Sequence, residues 1–182
     1  MIYFTADLHL GHNAIIHMQD RPFDSVEQMN DTLIKNINSF VSDNDTLYIL
    51  GDIAHRLTVE KANELIKKIN GKKILIRGNH DKEYDETLFE AIYDYLEINI
   101  DGIPFVLMHY PIRSWNKMKR GSIHLHGHIH SNEAYNYLNR EEGLFQYDVG
   151  VDANDYYPVS EKQLIEFYKY RRPKIIDYHS EE

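Results

Sequence analysis

Carboxylates, imidazoles and one amide fall in five short blocks along this 182-residue chain. In order they are Asp7-Leu8-His9, Gly51-Asp52, Gly78-Asn79-His80-Asp81, His109, and Gly127-His128-Ile129-His130. No thiol is among them, because the chain has no cysteine. Hard and borderline divalent cations prefer that set of oxygen and nitrogen donors. One ion is saturated by roughly four to six such groups. The blocks hold more than that, enough for two ions sharing one bridging carboxylate. Two metals a few ångströms apart are a recurring device for displacement at phosphorus.

The elements that must position these blocks follow from hydrophobic periodicity. Residues 3–6 read as a short buried strand that delivers Asp7 at its C-terminal end. Ser25 has the place of an N-cap, with Gln28 three residues on completing a capping box. The helix behind it carries Val26, Met29, Leu33, Ile34, Ile37, Phe40 and Val41 on one stripe. Residues 46–50 form the next strand and deliver Gly51-Asp52. Thr58 opens another helix with Ala62, Leu65, Ile66 and Ile69 inward and Gly71 as its stop. Residues 73–77 are a third strand, ending at Gly78-Asn79-His80-Asp81. This alternation predicts parallel pairing through right-handed crossovers.

The second half has a different rhythm. Residues 96–100 and 103–108 flank Asp101-Gly102, a pair suited to a type I′ hairpin, and His109 follows directly. Residues 122–126 and 145–149 are further strands, and Ser160 caps a last helix carrying Leu164, Ile165, Phe167 and Tyr168. The expected fold class is α/β, a four-layer α-β-β-α sandwich of two mixed β-sheets flanked by helices. Residues 1–182 are expected to form one domain with no cap domain. In open α/β sheets, sites lie beyond the carboxyl ends of strands, where the first three blocks and His109 fall.

Taken in order, Asp-x-His, Gly-Asp, Gly-Asn-His-Asp, a lone His and Gly-His-x-His resemble the calcineurin-like metallophosphoesterase superfamily, over about residues 1–152. The run Asp7-Leu8-His9-Leu10-Gly11-His12-Asn13 is also similar to a small single-domain bacterial and phage subgroup. The resemblance implies that Asp7, His9 and His130 bind one divalent metal ion, that Asn79, His109 and His128 bind a second, and that Asp52 bridges them. It implies a hydroxide held between the ions as the nucleophile, His80 assisting the leaving group, and Asp81 orienting His80. Mn is the preferred metal, with Fe, Ni, Co and Zn left open, since all accept nitrogen and oxygen ligands.

The remaining candidates are weaker signals. His12, Arg21 and Arg113 are expected near a substrate phosphate, and His126 as a residue holding a ligand in place. His17, His55 and His179 read as surface or core residues, and His124 as packing. Tyr110, Trp115 or Tyr156 could stack on a base, although packing is the commoner use of such rings.

A net charge of −9 argues against a protein that grips extended nucleic acid by counterion release. No apolar stretch reaches membrane-spanning length, and the N-terminus lacks the pattern of a signal peptide, so a cytoplasmic protein is expected. The functional expectation is hydrolysis of a small phosphate ester or nucleotide, with a phosphodiester preferred. The alternatives are a phosphomonoesterase or nucleotide phosphatase, and a non-catalytic metal-binding interaction scaffold of the same fold.

Overall fold

A computed structural model describes residues 1–174; His179 lies outside them. Two mixed sheets form its framework. The first takes the order β4-β3-β2-β1-β9, with β1 (Ile2–Thr5), β2 (Thr46–Ile49), β3 (Lys72–Ile76), β4 (Ala91–Tyr93) and β9 (Val159–Ser160). Its first four strands are parallel, and β9 runs antiparallel to β1. The second takes the order β5-β6-β7-β8, from β5 (Tyr95–Ile100), β6 (Ile103–Met108), β7 (Ile123–His126) and β8 (Gln146–Asp148). Only the β5–β6 pair is antiparallel there. Asp101 and Gly102 both have positive φ, 51° and 85°, as the type I′ turn between β5 and β6 requires.

Strand alternation sorts the core into two apolar layers. Tyr3, Leu47, Ile49 and Leu75 face α2 (Val26–Phe40) and α3 (Val59–Ile66), where Met29, Leu33, Ile37 and Ile66 are buried. Phe4, Tyr48, Leu50 and Ile76 face the other way and meet Phe105, Leu107, Ile123 and Leu125 of the second sheet. The outer face of that sheet is covered by the 110–121 loop, through Trp115 and Met118, and by α4 (Glu133–Glu141). Helix α5 (Glu161–Tyr168) closes the edge beside β9, with Tyr168 donating to the Gln146 carbonyl at 3.0 Å.

Helix ends follow their capping chemistry, with two departures from expectation. Ser160 and Gln163 form a complete capping box on α5. Ser25 accepts from Gln28 N–H on α2, but the Gln28 side chain reaches Asp24 N–H instead of Ser25 N–H. Helix α3 ends at Ile66, short of Gly71, because a separate turn carries the chain into β3. Gly71 serves that turn at φ +91°, where a Cβ would press on Val41. Short α1 (Asn13–Met18), α4, β4 and β9 had no place in the sequence reading.

Backbone pairing continues past the strand ends, and this is what builds the site. Asp7 N–H donates to Gly51 O, His9 N–H to Asp52 O, Leu10 N–H to Ile53 O and His55 N–H to Leu10 O, at 2.9–3.0 Å. Gly127 N–H donates to His109 O, and Val151 N–H to Ala6 O. The first block is thereby fastened to the second and the fourth to the fifth along one end of both sheets, and side-chain bonds of Asp81 and Asp52 tie in the third.

Candidate metal centre

Five residues of the blocks hold left-handed backbone: Asp7 (φ 57°), His9 (51°), Asp52 (55°), His128 (74°) and His130 (46°). Such angles cost free energy for residues with a Cβ, and they persist where surrounding structure enforces them. The fastened loops supply that enforcement. The glycines let the loops close: a Cβ on Gly78 or Gly127 would strike the carboxylate of Asp52 or Asp7, and one on Gly51 would strike the His109 ring.

Two groups of donors result, each with its atoms within 4.8 Å of one another. One is Asp7, His9 and His130; the other is Asp7, Asp52 and His109. Asn79 joins the second, its Oδ1 3.1 Å from His109 Nε2 and 3.0 Å from His128 Nδ1. Asp52 Oδ2 stands between the groups, 3.5 Å from His9 Nε2 and 3.6 Å from His109 Nε2. The other oxygen, Oδ1, accepts the His80 backbone N–H at 2.9 Å, which fixes the carboxylate's rotation.

The donor chemistry fits divalent cations. Asp7 Oδ1 and both nitrogens of His9 are buried without a hydrogen-bond partner, a costly state unless a ligand fills it. His109 Nδ1 donates to Leu50 O at 2.7 Å, so Nε2 carries a lone pair toward Asn79 and Asp52. Electrostatics agree. Burial, then Asp148 and Asp52, raise the Asp7 carboxyl well above its usual range, against the His128 N–H bond that lowers it. Burial, then His130, push His9 down to about 2, and burial also lowers His128. Repelling carboxylates and neutral imidazoles are the electrostatic state that bound cations relieve.

Several neighbours have roles that differ from expectation. Arg21 is not free to meet a substrate phosphate. It is 3% exposed, its guanidinium grips Asp152 with two bonds of 2.8 Å, and it also donates to Asp7 O and Leu8 O. Asp152 in turn accepts from His130 Nδ1 at 2.7 Å. Asp81 does not pair with the His80 ring. Its oxygens accept the backbone N–H groups of Asp52, Ile53 and Gly78 and the Tyr84 hydroxyl, at 2.8–3.0 Å. It is thus a clamp on the two glycine-containing loops. His126 is buried, donating to Gly127 O and meeting the Tyr135 hydroxyl, so it props the backbone before His128.

His55 is not a remote surface or core residue. Its ring lies 4.3 Å from His80 and 4.4 Å from His12, centroid to centroid. His12 is 7% exposed beside His9, and His80 is exposed at the rim. His124 is packing, as expected, with its ring against Trp115 and its nitrogens on the 106–112 backbone. Arg113 is exposed on the loop after β6, and none of these contacts involves it. Trp115 donates inward to Ser122 O and Tyr156 packs on Phe23, while Tyr110 is exposed with its ring edge-on to His128 at 4.6 Å. Asp148 and Asp152 were missed; Asp148 ends β8 and Asp152 lies four residues on, each two positions from Gly150, a strand end with a glycine nearby that could have drawn notice.

Comparison with known proteins points one way. The family model described as calcineurin-like phosphoesterase matches residues 1–154. An uncharacterized protein of Methanocaldococcus jannaschii is 40% identical over 162 residues, covering 87% of this chain and 86% of that protein. The gene 66 protein of Mycobacterium phage L5 is 30% identical over 182 residues, covering 83% and 86%. Among solved structures, a protein of unknown function from Aquifex aeolicus superimposes with a TM-score of 0.73 at 28% identity, covering 91% of this chain and 98% of that one.

Proposed function

The chain belongs to the calcineurin-like phosphoesterase family, whose members hydrolyse phosphoesters with metal ions, and from that premise we propose that it is a two-metal phosphodiesterase. Asp7, His9 and His130 would hold one ion, Asn79, His109 and His128 the other, and Asp52 both. The observation that carries this reading is the position of Asp52 Oδ2 between His9 and His109, at 3.5 and 3.6 Å. Ions bound there would supply charge neutralisation on the phosphoryl oxygens and a nucleophile at neutral pH. Mn is the metal we favour.

The chain's own residues do the rest. Leu50 O and Asp152 accept hydrogen bonds from the Nδ1–H groups of His109 and His130, which leaves both Nε2 atoms for the cluster. His80 is held by its backbone on Asp52 Oδ1, and its exposed ring is free to hydrogen-bond the leaving oxygen. A diester is preferred over a monoester because the rim at Asn79 and His80 is open, and we propose one domain without a cap to narrow it. A small ester or nucleotide suits the acidic chain better than extended nucleic acid.

The test strips the protein of metal and resupplies Mn²⁺, Ni²⁺, Zn²⁺ or Mg²⁺ separately. Hydrolysis of bis(p-nitrophenyl) phosphate is then compared with that of p-nitrophenyl phosphate. Metal-restored turnover with the diester ahead is expected. Two bound ions without turnover on either ester would favour an interaction scaffold.

A further inference from the structure

Two histidines outside the proposed ligand set stand inside the site. The segments 8–10 and 52–55 pair through Leu10 N–H to Ile53 O and His55 N–H to Leu10 O. That pairing brings His12, the N-cap residue of α1, next to His55. Successive ring centroids run 4.3 Å from His80 to His55 and 4.4 Å from His55 to His12. All three rings border His9, at 5.5, 5.9 and 5.6 Å. They form a continuous imidazole wall that begins at the histidine assigned to the leaving group.

The wall is built for a ligand rather than for packing. The His12 side chain caps nothing on α1, and its Nδ1 is buried without a partner. A buried polar atom left unpaired is disfavoured unless something fills the place. Two cations lie near the row in the chain: Arg56 follows His55 directly and is exposed, and Lys82, two residues past His80, is anchored on Leu57 O at 2.6 Å. In a chain of net charge −9 these are two positive charges set beside the row. Asn79 and His128 stand on Asp52's other side, with His109.

We propose that His55 and His12 bind an anionic group on the leaving arm, so that the preferred substrate is a phosphodiester whose leaving alcohol carries a second phosphate. This rests on the phosphodiesterase reading above and on His80 meeting the leaving oxygen. Imidazole N–H groups donate to phosphate oxygens in charge-assisted bonds, which are strong for their class. Several donors in a row match a group with several acceptor oxygens. A neutral leaving arm would make none of these charge-assisted bonds.

The test uses the metal-loaded full chain with a dithymidine phosphodiester and its forms phosphorylated at the 5′ or the 3′ end. Products are separated by chromatography, and bis(p-nitrophenyl) phosphate is run beside them. The expected result is a kcat/KM at least about tenfold higher when the leaving nucleoside carries the phosphate. His55→Gln and His12→Gln should each bring that ratio toward one, with metal content at the wild-type level. Equal rates for all three dinucleotides would overturn the proposal. So would a preference seen only with the phosphate on the retained arm, or variants that lower every rate and keep the ratio. If His12→Gln fails to fold, His55→Gln decides. Turnover of bis(p-nitrophenyl) phosphate with a ratio of one sinks this subsite alone. No diester turnover with any metal sinks the phosphodiesterase reading, and the subsite with it.

Discussion

His130 Nδ1 donates to Asp152 Oδ2 at 2.7 Å, and the same carboxylate takes both bonds of the Arg21 guanidinium. Arg21 also holds the carbonyls of Asp7 and Leu8, so one ion pair links the last ligand block to the backbone of the first. Burial pushes the Asp152 carboxyl up, but its bonds from His130 and Arg21 outweigh that and hold it below its usual range. It is charged at neutral pH and selects the His130 tautomer that points Nε2 at the cluster.

Asp152→Asn should therefore weaken metal binding about 10–100-fold, the usual cost of losing such a partner. Arg21→Met should do the same and destabilise the metal-free fold by about 3–5 kcal/mol, because it removes the guanidinium from a buried ion pair and leaves Asp152 with His130 alone. Metal titration by calorimetry reads the first, and urea unfolding with chelator reads the second. Unchanged affinity in Asp152→Asn would remove His130 from the ligand set.

Asp52 and His80 separate metal binding from chemistry. Asp52→Asn changes the carboxylate whose Oδ2 lies between His9 and His109. Activity should vanish and bound metal should fall, measured by elemental analysis after gel filtration. His80→Ala should keep its metal and lose about 10²–10⁴ in turnover on unactivated esters, with a smaller loss on p-nitrophenyl esters. A loss independent of leaving-group pKa would rule out assistance at the leaving oxygen.

Asp81 distinguishes a clamp from a catalytic partner. Burial raises its carboxyl, and the Gly78 and Ile53 N–H bonds work against that rise. Asp81→Asn leaves at least one of the N–H groups of Asp52, Ile53 or Gly78 unpaired. The cost should be about 1–3 kcal/mol in the metal-free protein, with metal binding weakened through the displaced Asp52 loop. Full stability with only a shifted pH–rate profile would mean that Asp81 acts on His80 after all.

The parts legible in advance are those that repeat a local rule. Strands ending in Gly-Asp or Gly-Asn-His-Asp announce both a β-strand and a turn tight enough to aim a ligand. Asp101-Gly102 announces its hairpin in two residues. Helix α4 was silent because only Asn136 of it is buried, and an apolar stripe is what periodicity detects. It is held by polar bonds between Asn136 and the Asp148 backbone, at 3.0 and 2.8 Å. Strands β4 and β9, with three and two residues, are too short to show a period. Arg21 and Asp152 are 131 positions apart, and no spacing rule joins them. Each was ambiguous alone, and only the packed loops showed that Arg21 faces inward and His55 outward to the site.

His124 gives a prediction that does not depend on metal. Its Nδ1 donates to Val106 O at 3.1 Å, and Nε2 lies 3.3 Å from the Ile112 N–H and 3.2 Å from Tyr110 O. Burial, then His126, lower its pKa to about 3. The unfolded ring takes up a proton near pH 6.5, which the folded ring refuses until far lower pH. Between those values the unfolded state binds one more proton, so stability falls as pH falls, by about 1.4 kcal/mol per pH unit for this group. Urea midpoints of the metal-free protein should therefore drop from pH 7 to pH 5. In His124→Gln the starting midpoint should be lower, but the drop should be shallower by about that slope over the part of the range below pH 6.5. An equal drop in both proteins would mean that the folded state tolerates a charged ring at this position.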